Sequence, residues 1–571
     1  MTSKMVTVVT SFILVLAVLV APTFVNAQSE APQLAPLRPV SDSEMPPRRG
    51  FIPSRNDLRH LDSYGDAAKS TATLPARFDW RTTGKVTSIK NQGACGACYS
   101  FATVADIESK MLIAGEGSFD FSENNVKECN VQNTACNGGN YEIVANFLSQ
   151  NGTVLESCDA YTPNNVPCNS GCTTQKTLTG WRIIAADAVP STATLQDHIY
   201  NNGPVYTALY TGDGNDPAFQ TEFNNYDGGY AMYYTGTWTI NHAVLIVGWD
   251  DDHPHSGGTG AWICKNSWGT SWGGTCDYGA EAGYFYMAYG SASIGKYSSY
   301  MSDYMDYDAS VSLLAYDDNG WTSQWGYSSP TGWGLCVFPI ATQQFITHVE
   351  FWTSDITLDV DVYIYDSFNG SSLSTLLASE LDNNYAQAGY HSVALSSPPQ
   401  ISAGDDIVAV VKFENASYIY PIVADANGSS ETGATYISGN GGSGTWTDLG
   451  AYAADDVGIR VRTSPTLALD ADDDPTATPY RWSLSHNYPN PFNPSTNIHY
   501  SLASRSHVTI TIYNVLGQEV NVLVDEVKSA GEYDASWDGS DFGGRGVASG
   551  IYFYRMVADD HTETAKMVLL R

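Results

Sequence analysis

Hydrophobic and polar residues alternate along the second half of the chain, whereas the first half mixes helical spacing with continuous apolar runs. Over 303–466, runs at Thr347–Trp352, Leu358–Tyr365, Tyr390–Leu395, Asp406–Phe413 and Gly458–Thr463 are separated by Gly, Asn, Ser and Pro clusters, which predicts an all-β sandwich. Runs at Ile498–Leu502, Val508–Asn514, Gly531–Trp537, Gly550–Val557 and Thr562–Leu569 predict a second, smaller sandwich over 482–571. The acidic, Pro-containing stretch 467–481 between them reads as a linker. Earlier, Phe101, Ala105, Glu108 and Leu112 recur at helical spacing and stop at Gly115, predicting a helix that opens at Cys98. Asn241-His242-Ala243 leads into the apolar run Val244–Trp249, a buried strand, and the next strand, Gly260–Lys265, ends at Asn266-Ser267-Trp268-Gly269.

The amino terminus sets the compartment. Lys4 precedes an apolar run from Met5 to Val20, and Val25-Asn26-Ala27 offers small residues before a cleavage site, so 1–27 reads as a signal peptide. A membrane anchor needs about 20 apolar residues, and Thr7, Thr10, Ser11 and Pro22 shorten this run; no later segment is long enough, so no membrane span is expected in the mature protein. Residues 28–73 are rich in Pro, Ser and Ala, contain Arg48-Arg49, show a helical pattern only at Asn56–Leu61, and read as a pro-segment or linker. A folded domain over 74–302 then holds nine of the ten cysteines. Export makes these cysteines candidates for disulfides. The length of 571 residues requires several domains, and a net charge of −34 argues against nucleic acid or an anionic membrane as partner.

The chemistry concentrates between Asn91 and Phe101, where a Gly-rich stretch gives way to the predicted helix. A thiol at a helix N-terminus feels the positive end of the dipole, and a neighbouring imidazolium lowers its pKa from about 8.5 to about 3–4. Locally, Cys98 fits a nucleophile and a disulfide half alike. His242 and Asn266 at the ends of consecutive strands bring an imidazole, a carboxamide and the Trp268 indole within reach of one another, which favours the nucleophile.

Gln92-Gly93-Ala94-Cys95-Gly96-Ala97-Cys98-Tyr99-Ser100-Phe101, then His242-Ala243-Val244, then Asn266-Ser267-Trp268-Gly269, resemble the three signature blocks of the papain family of cysteine peptidases, in family order. Asp79-Trp80-Arg81 and Cys136-Asn137-Gly138-Gly139 match two further family segments. The resemblance implies an α+β domain with a helical half and a β-barrel-like half, followed here by two all-β sandwiches. It implies an endopeptidase acting on proteins or peptides through a thioester, with no metal and no cofactor. Cys98 would be the nucleophile, His242 the base and acid, Asn266 the orienter of the imidazole, Gln92 the oxyanion-hole side chain, and Trp268 the shield of the His242–Asn266 bond. Gly138, Gly139, Asn140, Ala208 and Ala243 would line the substrate site, with an apolar preference at P2, the second residue before the scissile bond. Asn140 departs from the aromatic or apolar residue common there, and the family's segment that closes this pocket has no evident counterpart after Gly283. The resemblance also implies disulfides Cys95–Cys136 and Cys129–Cys168; spacing adds Cys158–Cys172 and leaves Cys264, Cys276 and Cys336 unassigned, since nine cysteines cannot all pair once Cys98 is free. The pro-segment is shorter than the long helical propeptide of many relatives, so latency would be achieved differently.

The middle region resembles the lectin-like sandwich that follows the peptidase domain in some prokaryotic papain relatives, implying a carbohydrate or cell-surface ligand. Trp321, Trp325 and Trp333 fit sugar stacking or a core, and Asp355, Asp359 and Asp361 fit Ca²⁺ binding or a solvated strand face. Asn487-Tyr488-Pro489-Asn490-Pro491-Phe492-Asn493-Pro494, Tyr513-Asn514-Val515-Leu516-Gly517 and Ser549-Gly550-Ile551-Tyr552 resemble the sorting domain of the type IX secretion system. That implies export through the periplasm of a gram-negative-type bacterium by the type IX machinery, to a secreted or surface-attached location. Two other readings use the same residues: a papain-like scaffold acting as an adhesin, and a transpeptidase in which an amine resolves the thioester.

Overall fold

The computed structural model describes residues 31–38, 50–63, 74–132, 134–441, 444–467 and, with short gaps, 483–570. The signal-peptide stretch 1–27 and all but Leu467 of the acidic stretch 467–481 lie outside the described residues. Helix α1 (Cys98–Ala114) is buried over most of its length, as a helix apolar on nearly every side must be. It stops at Gly115, whose φ of 87° a residue without Cβ adopts freely and whose N–H returns to Leu112 O and Met111 O. Helices α2 (Glu123–Cys129) and α3 (Tyr141–Gln150) are capped by Ser122 Oγ and Asn140 Oδ1, which accept from the Asn125 and Ile143 amides. These three helices pack together and form one half of the first domain.

The other half is an antiparallel sheet in the spatial order Thr174–Ala185, Lys296–Asp306, Val205–Leu209, His242–His255, Gly258–Lys265 and Tyr284–Ala288. The first nine residues of the His242 strand are buried, which explains its unbroken apolar run. Helix α1 lies against this strand, and α4 (Thr192–Asn202) and α5 (Pro217–Asn224) contribute Leu195, Ile199, Phe219 and Phe223 to a core with Trp249 and Trp262.

The sheet continues into the next region: Gly389–Ala394 pairs with Thr174–Ala185 at Gly389↔Arg182 and Tyr390↔Trp181, and leads on to Gln344–Thr353 and Ile459–Ser464. Facing these is a second sheet containing Thr357–Tyr365, Asp406–Asn415 and Thr331–Pro339, and the core between holds Val349, Phe351, Val360, Val362, Val411 and Phe413. The organisation is therefore α+β followed by all-β layers. Trp321 and Trp325 belong to the interior, with Trp325 Nε1 donating to Asp455 at 2.8 Å, while Trp333 stacks on Tyr363. Asp355 accepts from the Tyr418 amide, and Asp359 and Asp361 share Lys412. Arg460 welds the two regions: fully buried, it pairs with Asp317 at 2.8 Å and donates to Ser149 Oγ of α3 at 2.7 Å.

The C-terminal region forms two small antiparallel sheets, one with Thr496–Leu502 and Gly531–Trp537, the other with Glu519–Lys528, Ser506–Asn514, Gly550–Ala558 and His561–Leu569. Among the described residues no helix is long and apolar enough to cross a membrane.

Candidate active site

Cys98 opens α1 and His242 opens its strand, so the helix and the sheet half each deliver one group to the seam between them. The Cys98 Sγ lies 3.3 Å from the amide of Ala243, the residue beside His242. On the far side of the imidazole, His242 Nε2 donates to Asn266 Oδ1 at 2.8 Å. Asn266 follows the strand Gly258–Lys265, which pairs directly with the His242 strand, so the carboxamide and the imidazole are set by one sheet register. The Asn266 oxygen also accepts the Ser267 amide at 2.8 Å. Trp268 covers this pair: its ring centroid is 5.2 Å from the imidazole, and Phe223 and Trp272 pack on its other sides. Gln92 is locked beside them, its Nε2 donating to Cys95 O at 2.8 Å and its Oε1 accepting from Ser267 Oγ at 2.6 Å.

Behind the site lies a buried charge cluster. Lys265, one residue before Asn266, donates to Thr87 Oγ1 at 3.0 Å, and Thr87 donates to Glu108 Oε2 of α1 at 2.6 Å. Glu108 also pairs with Lys90, which reaches Glu123 at 2.9 Å. Burial pushes Lys265 down to about 8, and the carboxylates on the other side of the cluster hold Lys90 above its ordinary value despite desolvation. The chain segments that precede Cys98 and Asn266 are thereby tied together.

The cleft is filled by the chain itself. Gly139 donates to Gly50 O and accepts from the Ile52 amide, both at 2.9 Å, and the Phe51 amide donates to Asn241 O at 3.4 Å. Phe51 is completely buried in a cluster with Ala208, Ala243, Tyr141, Tyr206 and Tyr297, its ring 5.3 Å from that of Tyr297. Ala208 and Ala243 face each other across one register pair, and Asn140 caps α3 alongside. Gly138 leaves room for Ile52, since a Cβ there would come within 3.1 Å of the Ile52 side chain. Cys98 and His242 are both fully covered.

Two residues were missed from the sequence. Tyr297 closes the pocket that was expected to lack a closing segment after Gly283; it sits on the strand running beside Ala208, at a φ of 49°, and no motif marks it. Phe51 carried a signal, an apolar Phe51-Ile52 pair inside a polar, Pro-rich stretch. The disulfides are Cys95–Cys136, Cys129–Cys168 and Cys158–Cys172, and Cys98, Cys264, Cys276 and Cys336 are buried outside any disulfide. Cys95–Cys136 joins the Gln92 loop to the glycine loop, fixing both walls of the cleft.

Residues 74–303 match the family described as papain family cysteine protease, 313–463 the lectin like domain, and 493–561 the FlgD Ig-like domain. A senescence-specific cysteine protease of Oryza sativa subsp. japonica is 32% identical over 232 residues, 40% of this chain and 63% of its own. A viral cathepsin of Epiphyas postvittana nucleopolyhedrovirus is 33% identical over 202 residues, 35% of this chain and 57% of its own. The chain thus spans less than two thirds of these curated relatives. The crystal structure of the cysteine protease and lectin-like domains of Cwp84, a surface layer associated protein of Clostridium difficile, matches with a TM-score of 0.60 over 76% of this chain and 99% of that one, at 19% identity, a likeness of fold. The same clostridial protease after propeptide cleavage matches with a TM-score of 0.57 at 20% identity, over 68% of this chain and 99% of that one. Residues 74–303 are therefore a papain family cysteine protease domain, followed at 313–463 by a lectin-like domain.

Proposed function

We propose that the chain is an exported cysteine endopeptidase held latent by residues 50–63. The single observation that carries this reading is the convergence of Cys98, His242 and Asn266 at one seam, on the 2.8 Å imidazole–carboxamide bond and the 3.3 Å approach of the Cys98 sulfur to the Ala243 amide. The Cys98 thiolate attacks the scissile carbonyl carbon, and the Cys98 amide with the Gln92 side chain stabilises the oxyanion. As the carbon–nitrogen bond breaks, His242 protonates the leaving amine and a thioester remains. His242 then takes a proton from water, whose oxygen displaces the thiolate and frees the acid. Asn266 keeps the imidazole oriented through both steps.

The division into signal peptide 1–27, pro-segment 28–73, peptidase domain 74–302, lectin-like sandwich 303–466, linker 467–481 and sorting domain 482–571 belongs to the same reading. The sorting role is supported by the C-terminal motifs and by a separate small sandwich; export through the type IX machinery would be lost on deletion of 482–571, read by where the protein accumulates. A ligand for the lectin-like domain at a cell surface is supported by its family match and by the surface-layer association of Cwp84. The test of the peptidase reading is incubation of the cut chain with a peptide library beside Cys98→Ala and His242→Ala. New amino termini should appear only with the unaltered residues; equal product from Cys98→Ala would refute the assignment.

A further inference from the structure

The segment that fills the cleft does not end at the peptidase domain. Gly50 lies against Gly96, two residues before Cys98, where a Cβ on Gly96 would come within 3.2 Å of the Gly50 Cα. Phe51 fills the pocket beside Gly139, and Ile52 lies over Gly138, so the chain from Ile52 onward leads away from Cys98. It runs between Asn140, Glu142 and Ile143 on one side and Asn319, Trp321 and Ala426 of the lectin-like domain on the other, and with them lines a groove in which 220 Å³ remains open. Here the chain bends at the exposed Arg55 and buries Ser54 and Asn56 on either side of it. Ser54 Oγ donates to Glu142 Oε2 at 2.6 Å, and Asn56 Nδ2 donates to Trp321 O at 2.9 Å, so the two inward side chains hold the segment to both domains. An earlier stretch, Gln33–Leu34, adds a strand to the edge of Ser323–Gly326 in the lectin-like domain and bridges back from Leu37 to Asn56.

We propose that, once residues 31–63 have left, this groove is the outer part of the substrate site, so that the lectin-like domain binds the four to six residues of an extended polypeptide that precede P2. The inference rests on the peptidase reading and deepens it: the substrate class is long, extended polypeptide with hydrogen-bond donors two residues apart, facing Glu142 and the Trp321 carbonyl. The main chain can add to the exposed edge of Ser323–Gly326, the mode by which sheet edges take up peptides. Glu142 and the Trp321 carbonyl lose their partners when the segment leaves, and a substrate supplying neither donor leaves buried polar groups unsatisfied.

The test uses the full chain carrying a protease site between residues 64 and 73, cut there and freed of its pro-segment. Two fluorogenic peptides share Phe at P2, one ending there and one extended by six residues that include Ser and Asn two apart. Extension should raise kcat/KM at least tenfold, and Ala426→Trp or Asn427→Trp, at exposed positions on the lectin-like wall, should bring the ratio of long to short back to about one. No gain from extension, or a gain that survives both substitutions, overturns the proposal. A second arm needs no hydrolysis: a synthetic peptide of residues 50–60 should bind the cut Cys98→Ala chain and bind the Ala426→Trp form at least tenfold more weakly. Equal binding overturns the groove. Binding as expected with neither substrate cleaved leaves the groove standing and refutes the peptidase reading alone.

Discussion

Phe51 lies parallel to Gly139, with the Gly139 N–H on the Gly50 carbonyl and the Gly139 carbonyl on the Ile52 amide, each at 2.9 Å. The loop assigned to the substrate backbone is thus saturated by the chain's own residues 50–52, and the Phe51 ring packs against Tyr297. Truncating a buried Phe costs about 3–5 kcal/mol, which shifts an open–closed balance by about 10²-fold or more. The uncut Phe51→Ala chain should therefore hydrolyse a small Phe-P2 peptide far faster than the uncut parent. Equal rates from the two uncut chains would remove Phe51 from the account of latency.

The Gln92 carboxamide, held by Cys95 and Ser267, should act on the transition state rather than on binding. Gln92→Ala is expected to lower kcat by about 10²–10³ with KM little changed. A loss carried mainly by KM would place Gln92 in ground-state binding instead.

Glu142 makes latency sensitive to pH. Burial pushes its carboxyl up to about 7, against hydrogen bonds from Ser54 and Asn56, both on the segment that covers it. Once the segment leaves, that burial is relieved and the carboxyl should fall towards its ordinary 4.5. The closed form therefore holds the extra proton between these values: closure is fully favoured by this group below the lower one and loses that help as pH rises through the upper one. Binding of the 50–60 peptide to the cut Cys98→Ala chain should weaken by up to about tenfold per pH unit across this window. Glu142→Gln should flatten the profile, and a parent profile that is already flat would exclude the effect.

Much of this architecture was legible in the sequence, and the rest was hidden for identifiable reasons. The helix from Cys98 to Gly115 and the ten strands named in the two β-regions carry their own periodicity and turn signals, and the structure has each of them. Cys98, His242 and Asn266 stand in short motifs because a helix start, a strand start and a strand end must each present one group, and Gln92 shares the Cys98 motif. Tyr297 reaches the pocket only through the pairing of its strand with Val205–Leu209, a relation that leaves no local pattern. The same holds for the bonds from Ser54 and Asn56 to two different domains, which depend on how the sheet passes from one domain into the next.

Arg460 also joins the two domains. Its guanidinium is fully buried against Asp317, with Ser149 of α3 as a further acceptor. Removing one member of such a pair strands the other charge, at about 3–5 kcal/mol. Arg460→Ala should lower unfolding stability by that amount, and because the same contact aligns the groove walls, it should also weaken binding of the 50–60 peptide. Unchanged denaturation midpoints would show that the two domains do not depend on this contact.

The proposed function makes Cys98 a reactive thiol that residues 50–63 cover. The most direct measurement treats the full chain, before and after the pro-segment is cut away, with an epoxide that alkylates thiols and locates the adduct by peptide mass spectrometry. Modification is expected at Cys98 only after removal, suppressed by added 50–60 peptide, with Cys264, Cys276 and Cys336 untouched because burial holds their thiols protonated. Equal labelling of Cys98 before and after removal, or labelling that falls on the other three cysteines instead, would contradict it.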